Sequence, residues 1–310
     1  MDAMAGTQES KMSESTRRVG SQLKQLLGSP GVSFRETAGG YTPAARWIVG
    51  LADGRSVFVK MGIGPETSGW LRDERFVYER LHGGFLPRLL GFAEGEDGPL
   101  LVLEDLSEAA RTPPWTPAQI DAVLQALSDL HAQVAPLRPY AQVHGSRPEG
   151  WHAVAEAPQP FLALGMVSAN WLRSALPRLI AAEDGLETSG VAPVHLDVRS
   201  DNLFLSARGA VLVDWNHACL SNPLLDVGFW LPSLRAEGGP KPDEILADAP
   251  QAAAWVSGFF AARAGLPSLP HAPLVRQVQL QQLWPAVAWA IRVLKLPPAD
   301  GRFAEHVARA

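Results

Sequence analysis

The sequence predicts an α+β chain of two lobes, a small antiparallel sheet followed by a mainly helical lobe that carries a β-hairpin. Three observations predict it. Short apolar runs broken by turn residues fill the first hundred or so positions, and Asp53-Gly54 sits between two of them as a hairpin signal. From Thr116 onward, apolar residues recur at helical spacing. Among those helices lies one stretch of different character, Val194 to Trp215 (VHLDVRSDNLFLSARGAVLVDW), which reads as loop, strand, tight turn and strand. At 310 residues, 46% hydrophobic and 19% charged, the chain has the size and composition for two lobes sharing a cleft.

Composition removes several function classes. A net charge of −5 without a long basic run argues against a nucleic-acid partner. A single cysteine, Cys219, excludes an intrachain disulfide and fits a reducing compartment. No apolar run is long enough for a bilayer, and the first residues lack the apolar core of a secretory signal. The expectation is a cytoplasmic protein without a membrane partner. Residues 1–16 are small and polar and read as a disordered tail. The patterns G-x-S-x-G, H-E-x-x-H and the dinucleotide fingerprint are all missing, which disfavours hydrolase and dehydrogenase chemistry. Oligomeric state has no signal in the sequence.

Taken in order, Val19, Leu23, Leu26 and Leu27 mark a helix that Gly28-Ser29-Pro30-Gly31 stops. Val32 to Thr37 reads as a strand, followed by a turn containing Gly39 and Gly40. Arg46 to Gly50 and Ser56 to Lys60 are the next strands, and alternation puts Lys60 on the face of Phe58. A helix over 69–81 carries Glu74 near its middle. Leu89 to Ala93 and Leu100 to Leu103 are two further strands, ending at Glu104-Asp105-Leu106-Ser107. Thr116-Pro117-Ala118-Gln119 has the makings of a capping box with proline at the first helical position. Ile120, Val123, Leu124, Leu127 and Leu130 form the buried stripe of that helix, and His131 closes it as a structural residue. Pro136 to Pro160 reads as irregular, and Trp171, Leu172, Leu176 and Leu179 as a helix. Beyond Pro240, Trp255, Phe259, Phe260, Leu280, Leu283, Trp284, Val287, Trp289 and Ile291 read as helical core.

The chemistry gathers on the hairpin. Its loop carries His195, Asp197 and Asn202, its second strand ends on Asp214, and Gly209 is placed to take a positive φ in the turn. Two carboxylates and an amide thus come to one end of a rigid element. An amide and a carboxylate suit a hard, oxygen-ligated cation such as Mg²⁺. A second carboxylate not spent on metal suits work on a hydroxyl proton.

The pattern His-x-Asp-x-x-x-x-Asn, followed by a strand ending in Asp, resembles the catalytic loop and metal strand of the protein-kinase-like fold. The form HLDVRSDN…VDW is similar to the aminoglycoside phosphotransferase and choline kinase-like family. The resemblance implies a bilobal fold, with a nucleotide-binding lobe and hinge over 17–106 and a catalytic and acceptor-binding lobe over 107–310. It implies that Asp197 is the base or orienting carboxylate, that Asn202 and Asp214 hold Mg²⁺, and that His195 is a support. It places Lys60 on the α- and β-phosphates of ATP with Glu74 as its ion-pair partner, Glu79 being the alternative. The Gly39-Gly40 turn would lie over the phosphates, and adenine would meet the carbonyl of Glu104 and the N–H of Leu106. Asp226 would bond the catalytic-loop backbone, the alternative being an N-cap of a helix over Val227 to Leu231. Two departures from the family pattern are Leu196, where Gly is more common, and Arg199, where His often stands.

The function implied is an ATP- and Mg²⁺-dependent O-phosphotransferase acting on a small hydroxylated molecule such as a sugar or an antibiotic. A catalytically silent, kinase-like nucleotide-binding module is the alternative. A protein kinase is opposed by the missing Asp-Phe-Gly and Ala-Pro-Glu segments. Polycationic acceptors call for a dense acidic rim. Asp243, Glu244 and Asp248 are the nearest approach to one, while Arg292 and Lys295 add positive charge, so the expected acceptor is neutral or partly apolar.

Overall fold

The computed structural model describes residues 14–37, 44–145, 150–270 and 272–307, with side chains through residue 304. Two compact units divide the chain: one takes in the described residues before 38 with 44–75 and 88–108, the other residues 76–87 and 109 onward. Gly39 and Gly40 lie outside the described residues, as does the tail before residue 14.

The first unit is a five-stranded antiparallel sheet with helix α1 (Glu14–Leu27) against it. Its strands are β1 (Gly31–Glu36), β2 (Ala45–Leu51), β3 (Ser56–Met61), β4 (Leu89–Ala93) and β5 (Leu100–Glu104), in the order β1-β2-β3-β5-β4. Asp53-Gly54 turns β2 into β3: Gly54 takes φ +85°, and the Asp53 carboxylate accepts the N–H of Arg55 at 3.1 Å. Alternation puts Val49 with Val57 and Val59 on one face, where Val19 and Leu23 of α1 complete a core that is at most 1% exposed. Lys60 is left on the opposite face. Helix α2 (Pro65–Tyr78) follows, its residues 65–75 belonging to this unit. It begins four residues before the expected 69–81, where Pro65 is preset for a first helical turn. Helix α1 likewise starts at Glu14, inside the segment expected to be disordered; Glu14 and Arg18 pair at 2.6 Å along its first turn.

The second unit is helical around two small β pairs. Helix α3 (Pro117–His131) has the expected capping box: Thr116 accepts the Gln119 N–H at 3.3 Å and the Gln119 side chain accepts the Thr116 N–H at 2.8 Å. Three short helices follow, α4 (Tyr140–His144), α5 (Trp151–Glu156) and α6 (Gln159–Leu162), where an irregular segment was expected. Trp151 anchors this stretch; it is fully buried and its indole N–H donates to the carbonyl of Ala254 at 2.9 Å. Helix α7 (Ala169–Asp184) leads to β6 (Ala192–Val194) and the loop from His195 to Asn202. The hairpin is β7 (Leu203–Ser206) with β8 (Gly209–Leu212), turned at Gly209 with φ +106°. β9 (Cys219–Ser221) pairs back onto β6 and leads into α8 (Leu224–Ala236). The remainder is α9 (Pro242–Ile245), α10 (Pro250–Ala264), α11 (Val275–Val293) and α12 (Arg302–Val307). Trp255, Phe260, Leu283, Val287 and Trp289 are buried as expected, whereas Phe259, Leu280, Trp284 and Ile291 are only half-buried. Among the described residues, no helix is long and apolar enough to cross a membrane.

Candidate active site

The order of the loop after β6 is set by one buried imidazole. His195 is fully buried; its Nδ1 accepts the N–H of Asp197 at 3.1 Å, and its Nε2 lies 3.0 Å from the carbonyl of Val213. An accepting Nδ1 requires the proton on Nε2, which therefore donates to Val213. Burial pushes the imidazole below its ordinary pKa, so the neutral tautomer is the stable one. One ring thereby ties the loop bearing Asp197 to the residue before Asp214. The indole of Trp215 packs edge-on against that ring at 4.5 Å and donates to the Leu212 carbonyl at 2.8 Å.

Asp226 holds the same loop from behind. Its carboxylate, fully buried near the start of α8, accepts the N–H of His195 with both oxygens at 2.9 Å and the N–H of Leu196 at 2.6 Å. His131, at the end of α3, adds its Nε2 at 2.9 Å. A buried carboxylate is tolerable only with such donors. The expected helix over Val227 to Leu231 in fact begins at Leu224, so Asp226 lies within its first turn, and the residue preceding the helix is Pro223.

Asn202 closes a short 3₁₀ turn over Ser200–Asn202. Its amide nitrogen donates to the Asp197 backbone carbonyl at 2.9 Å and to the Asp197 carboxylate at 2.8 Å. With the nitrogen so placed, its Oδ1 points away from Asp197. The Asn202 backbone carbonyl accepts the N–H of Val213 at 3.0 Å, which sets Asn202 beside the end of β8, one residue before Asp214. Asp214 adopts a left-handed conformation, φ +72° and ψ +60°. Arg199 lies 3.2 Å from Asp197 and 3.1 Å from Asp201. Burial pushes Asp201 above the usual carboxylate range, against the pull of Arg199. Asn202 and Asp214 each carry an oxygen donor of the kind Mg²⁺ takes, and the Val213–Asn202 bond brings their backbones close.

In the first unit, Lys60 on β3 and Glu74 on α2 meet as a buried pair, Nζ to Oε1 at 2.5 Å, exposed by 5% and 1%. The alternative partner, Glu79, lies beyond the end of α2 and pairs with Arg80 at 3.7 Å. Glu104 is buried: its carboxylate accepts the N–H of Arg88 at 3.0 Å and the Arg88 Nε at 3.0 Å. Asp105 fixes the following turn by accepting Ser56 Oγ at 2.6 Å and the Ser107 N–H at 2.8 Å.

Sequence reasoning missed the contacts made by distant segments. Glu237, after α8, accepts the Trp115 indole N–H at 2.8 Å and the hydroxyl of Ser200 in the loop between β6 and β7. Ser233 and Gln282 were missed too; no motif marks any of the three.

The model of the phosphotransferase enzyme family matches residues 33–260, about three quarters of the chain. The chain belongs to the phosphotransferase enzyme family. The match begins within β1, ends within α10 and contains Lys60, Glu74, the loop from His195 to Asn202, Asp214 and Asp226. Among solved structures, this phosphotransferase is similar to a spectinomycin phosphotransferase in complex with ADP and spectinomycin, with TM-score 0.55 and 12% identity over 90% of this chain and 97% of that one. It is also similar to a macrolide 2'-phosphotransferase of type I, with TM-score 0.50 and 16% identity over 95% of this chain and 96% of that one. At such identities the likeness establishes the kinase-like fold. No curated protein matches the phosphotransferase.

Proposed function

We propose that this phosphotransferase moves the γ-phosphoryl group of ATP, with Mg²⁺, to a hydroxyl of a small molecule such as a sugar, an antibiotic or a related metabolite. Residues 17–106 serve the nucleotide and residues 107–310 serve the metal and the acceptor. The observation that carries the reading is the Asn202–Asp197 contact at 2.8 Å. It turns the amide nitrogen onto the carboxylate that would meet the acceptor and leaves the amide oxygen for a cation beside Asp214. Asp197 orients the acceptor hydroxyl and accepts its proton. Asn202 Oδ1 and the Asp214 carboxylate would hold Mg²⁺, which when bound would supply charge neutralisation to the phosphoryl oxygens. Lys60, braced by Glu74, positions the α- and β-phosphates, and the Glu104 carbonyl with the Leu106 N–H receives the adenine.

The test is Asp197→Ala. Turnover is expected to fall by about 10²–10⁴ while ATP affinity by calorimetry stays within a few-fold. Undiminished turnover rejects the assignment. The acceptor is found by screening hydroxylated metabolites and antibiotics for ATP-dependent phosphate gain by mass spectrometry, and reproducible product also rules out a silent nucleotide-binding module.

A further inference from the structure

The second unit contains a cavity of about 700 Å³ whose walls are the catalytic-loop residues Arg199 to Asp201, the end of α8, the start of α9 and one side of α11. Two polar side chains in those walls are buried by the fold without being partnered by it. Gln282 on α11 is 6% exposed and Ser233 on α8 is 5% exposed. Neither side chain makes a hydrogen bond to any described residue. Their polar atoms are not fully enclosed: they reach the open space of the cavity, where a ligand's polar groups can take the place of water. Both groups donate and accept, so both match a hydroxyl or a carbonyl rather than a full charge.

The rest of the wall narrows the ligand further. Apolar surface comes from Val278, Trp284, Pro285 and Ala288. The Trp284 ring is stacked on Phe303, with centroids 5.2 Å apart and planes 5° from parallel, which holds its face in place. Both carboxylates in the wall are already engaged: Asp201 with Arg199 at 3.1 Å, and Glu237 with Trp115 and Ser200. Arg199, Arg235, Lys241 and Arg292 also line it. The carboxylate of Asp243 pairs with Arg292 rather than facing the cavity as a free anion. Arg199 and Arg292 are themselves paired, with Asp197 and Asp201 and with Asp243, and an ammonium group entering here finds two carboxylates beside four cations rather than a dense acidic rim.

We propose that Gln282 and Ser233 are specificity-determining residues of an acceptor subsite that takes an uncharged, hydroxylated molecule with an apolar face and rejects polycationic amines. The word acceptor rests on the phosphotransfer reading above; the subsite itself rests on the cavity and its two unpartnered side chains. Asp197 is one contact away from the cavity: Arg199, which lines it, lies 3.2 Å from the Asp197 carboxylate. Losing one of these hydrogen bonds strands a polar group of the ligand, which is worth about 10- to 100-fold in apparent affinity.

The experiment uses the full chain as wild type, Gln282→Leu and Ser233→Ala. The neutral probes are phenyl glycosides and ribonucleosides, and the polycationic probe is kanamycin. Each probe is followed by calorimetry without nucleotide and by mass spectrometry with ATP and Mg²⁺. The expected result is that at least one neutral probe binds or gains phosphate and kanamycin does neither. Gln282→Leu then raises KM or Kd about 10- to 100-fold, with kcat within about twofold and the melting temperature unchanged or higher. A glutamine with a purely structural role gives the opposite signature, a lower melting temperature with KM untouched, and overturns the proposal. Kanamycin accepting phosphate, or no neutral probe binding at millimolar concentration, overturns it as well. A neutral probe that binds wild type and is lost in Gln282→Leu, while Asp197→Ala leaves turnover undiminished, leaves the subsite standing and refutes the phosphotransfer assignment. Phosphorylated kanamycin leaves phosphotransfer standing and refutes the subsite.

Discussion

Asp226 accepts the Leu196 N–H at 2.6 Å, and Leu196 sits at φ +63°, a left-handed conformation. The same buried carboxylate takes the His195 N–H and His131 Nε2, so three donors from two segments converge on one anion. Asp226→Ala strands those donors in the interior. The expected cost is on the order of 3–5 kcal/mol, read from the urea midpoint. Asp226→Asn keeps one acceptor oxygen but turns an NH₂ toward N–H groups, and it should recover only part of the loss. An alanine variant of wild-type stability contradicts the structural role.

The Lys60–Glu74 pair makes a different prediction because both ends are charged and nearly inaccessible. Lys60→Met removes one charge and leaves the other buried, a change that typically costs about 3–5 kcal/mol. Adding Glu74→Gln removes the stranded charge. The double variant should therefore be more stable than the single one, with a coupling energy above about 1 kcal/mol in a double-mutant cycle. Additive effects show that the two side chains do not depend on each other. Loss of ATP affinity in the double variant, despite recovered stability, separates a phosphate contact from a fold contact.

The hairpin was legible in the sequence because its signals are contiguous: a loop, two apolar runs and a glycine turn follow one another between Val194 and Trp215. The sheet was legible for the same reason, as Asp53-Gly54 and alternating valines specify β2 and β3 locally. What was not legible depends on packing. His131 and Asp226 are 95 positions apart and meet only because α3 and α8 converge on the loop. Gln282 and Ser233 come to line one cavity with Arg199 to Asp201 through the contact of α8 with α11, and neither lies in a pattern. Trp284 reads as core on helical spacing, yet it is half-buried, stacks on Phe303 and lines the cavity. The left-handed backbone at Leu196 is hidden by a side chain that rarely adopts it.

That conformation yields a third prediction. A left-handed φ costs a non-glycine residue roughly 1–2 kcal/mol. Leu196→Gly removes this cost, while the freer unfolded chain takes back about 0.5–1 kcal/mol. The net expectation is a stability between wild type and about 1 kcal/mol above it, with the loop still held by Asp226. A loss beyond about 2 kcal/mol shows that packing of the half-buried leucine side chain outweighs backbone strain.

Glu183 supplies the pH dependence. It is 6% exposed on α7, and both its carboxylate oxygens accept the Trp151 N–H, at 3.1 and 2.9 Å. Burial pushes its pKa from 4.5 up to about 7, with the backbone donors of Trp151 and His152 pulling the other way. Between those values the folded chain holds a proton that the unfolded chain has released. The stabilisation is therefore complete below about pH 4.5 and is lost as pH rises through about 7. His195 acts in the opposite sense: burial lowers its pKa from 6.5, so its contribution is lost as pH falls below that value. Because His195 is common to wild type and Glu183→Gln, its effect cancels when the two are compared at each pH. Urea midpoints at about pH 5 and about pH 8 should show wild type losing on the order of 1–3 kcal/mol more than Glu183→Gln over that interval. Parallel pH profiles for the two proteins place the Glu183 carboxyl near its free value in the folded state and refute the burial argument.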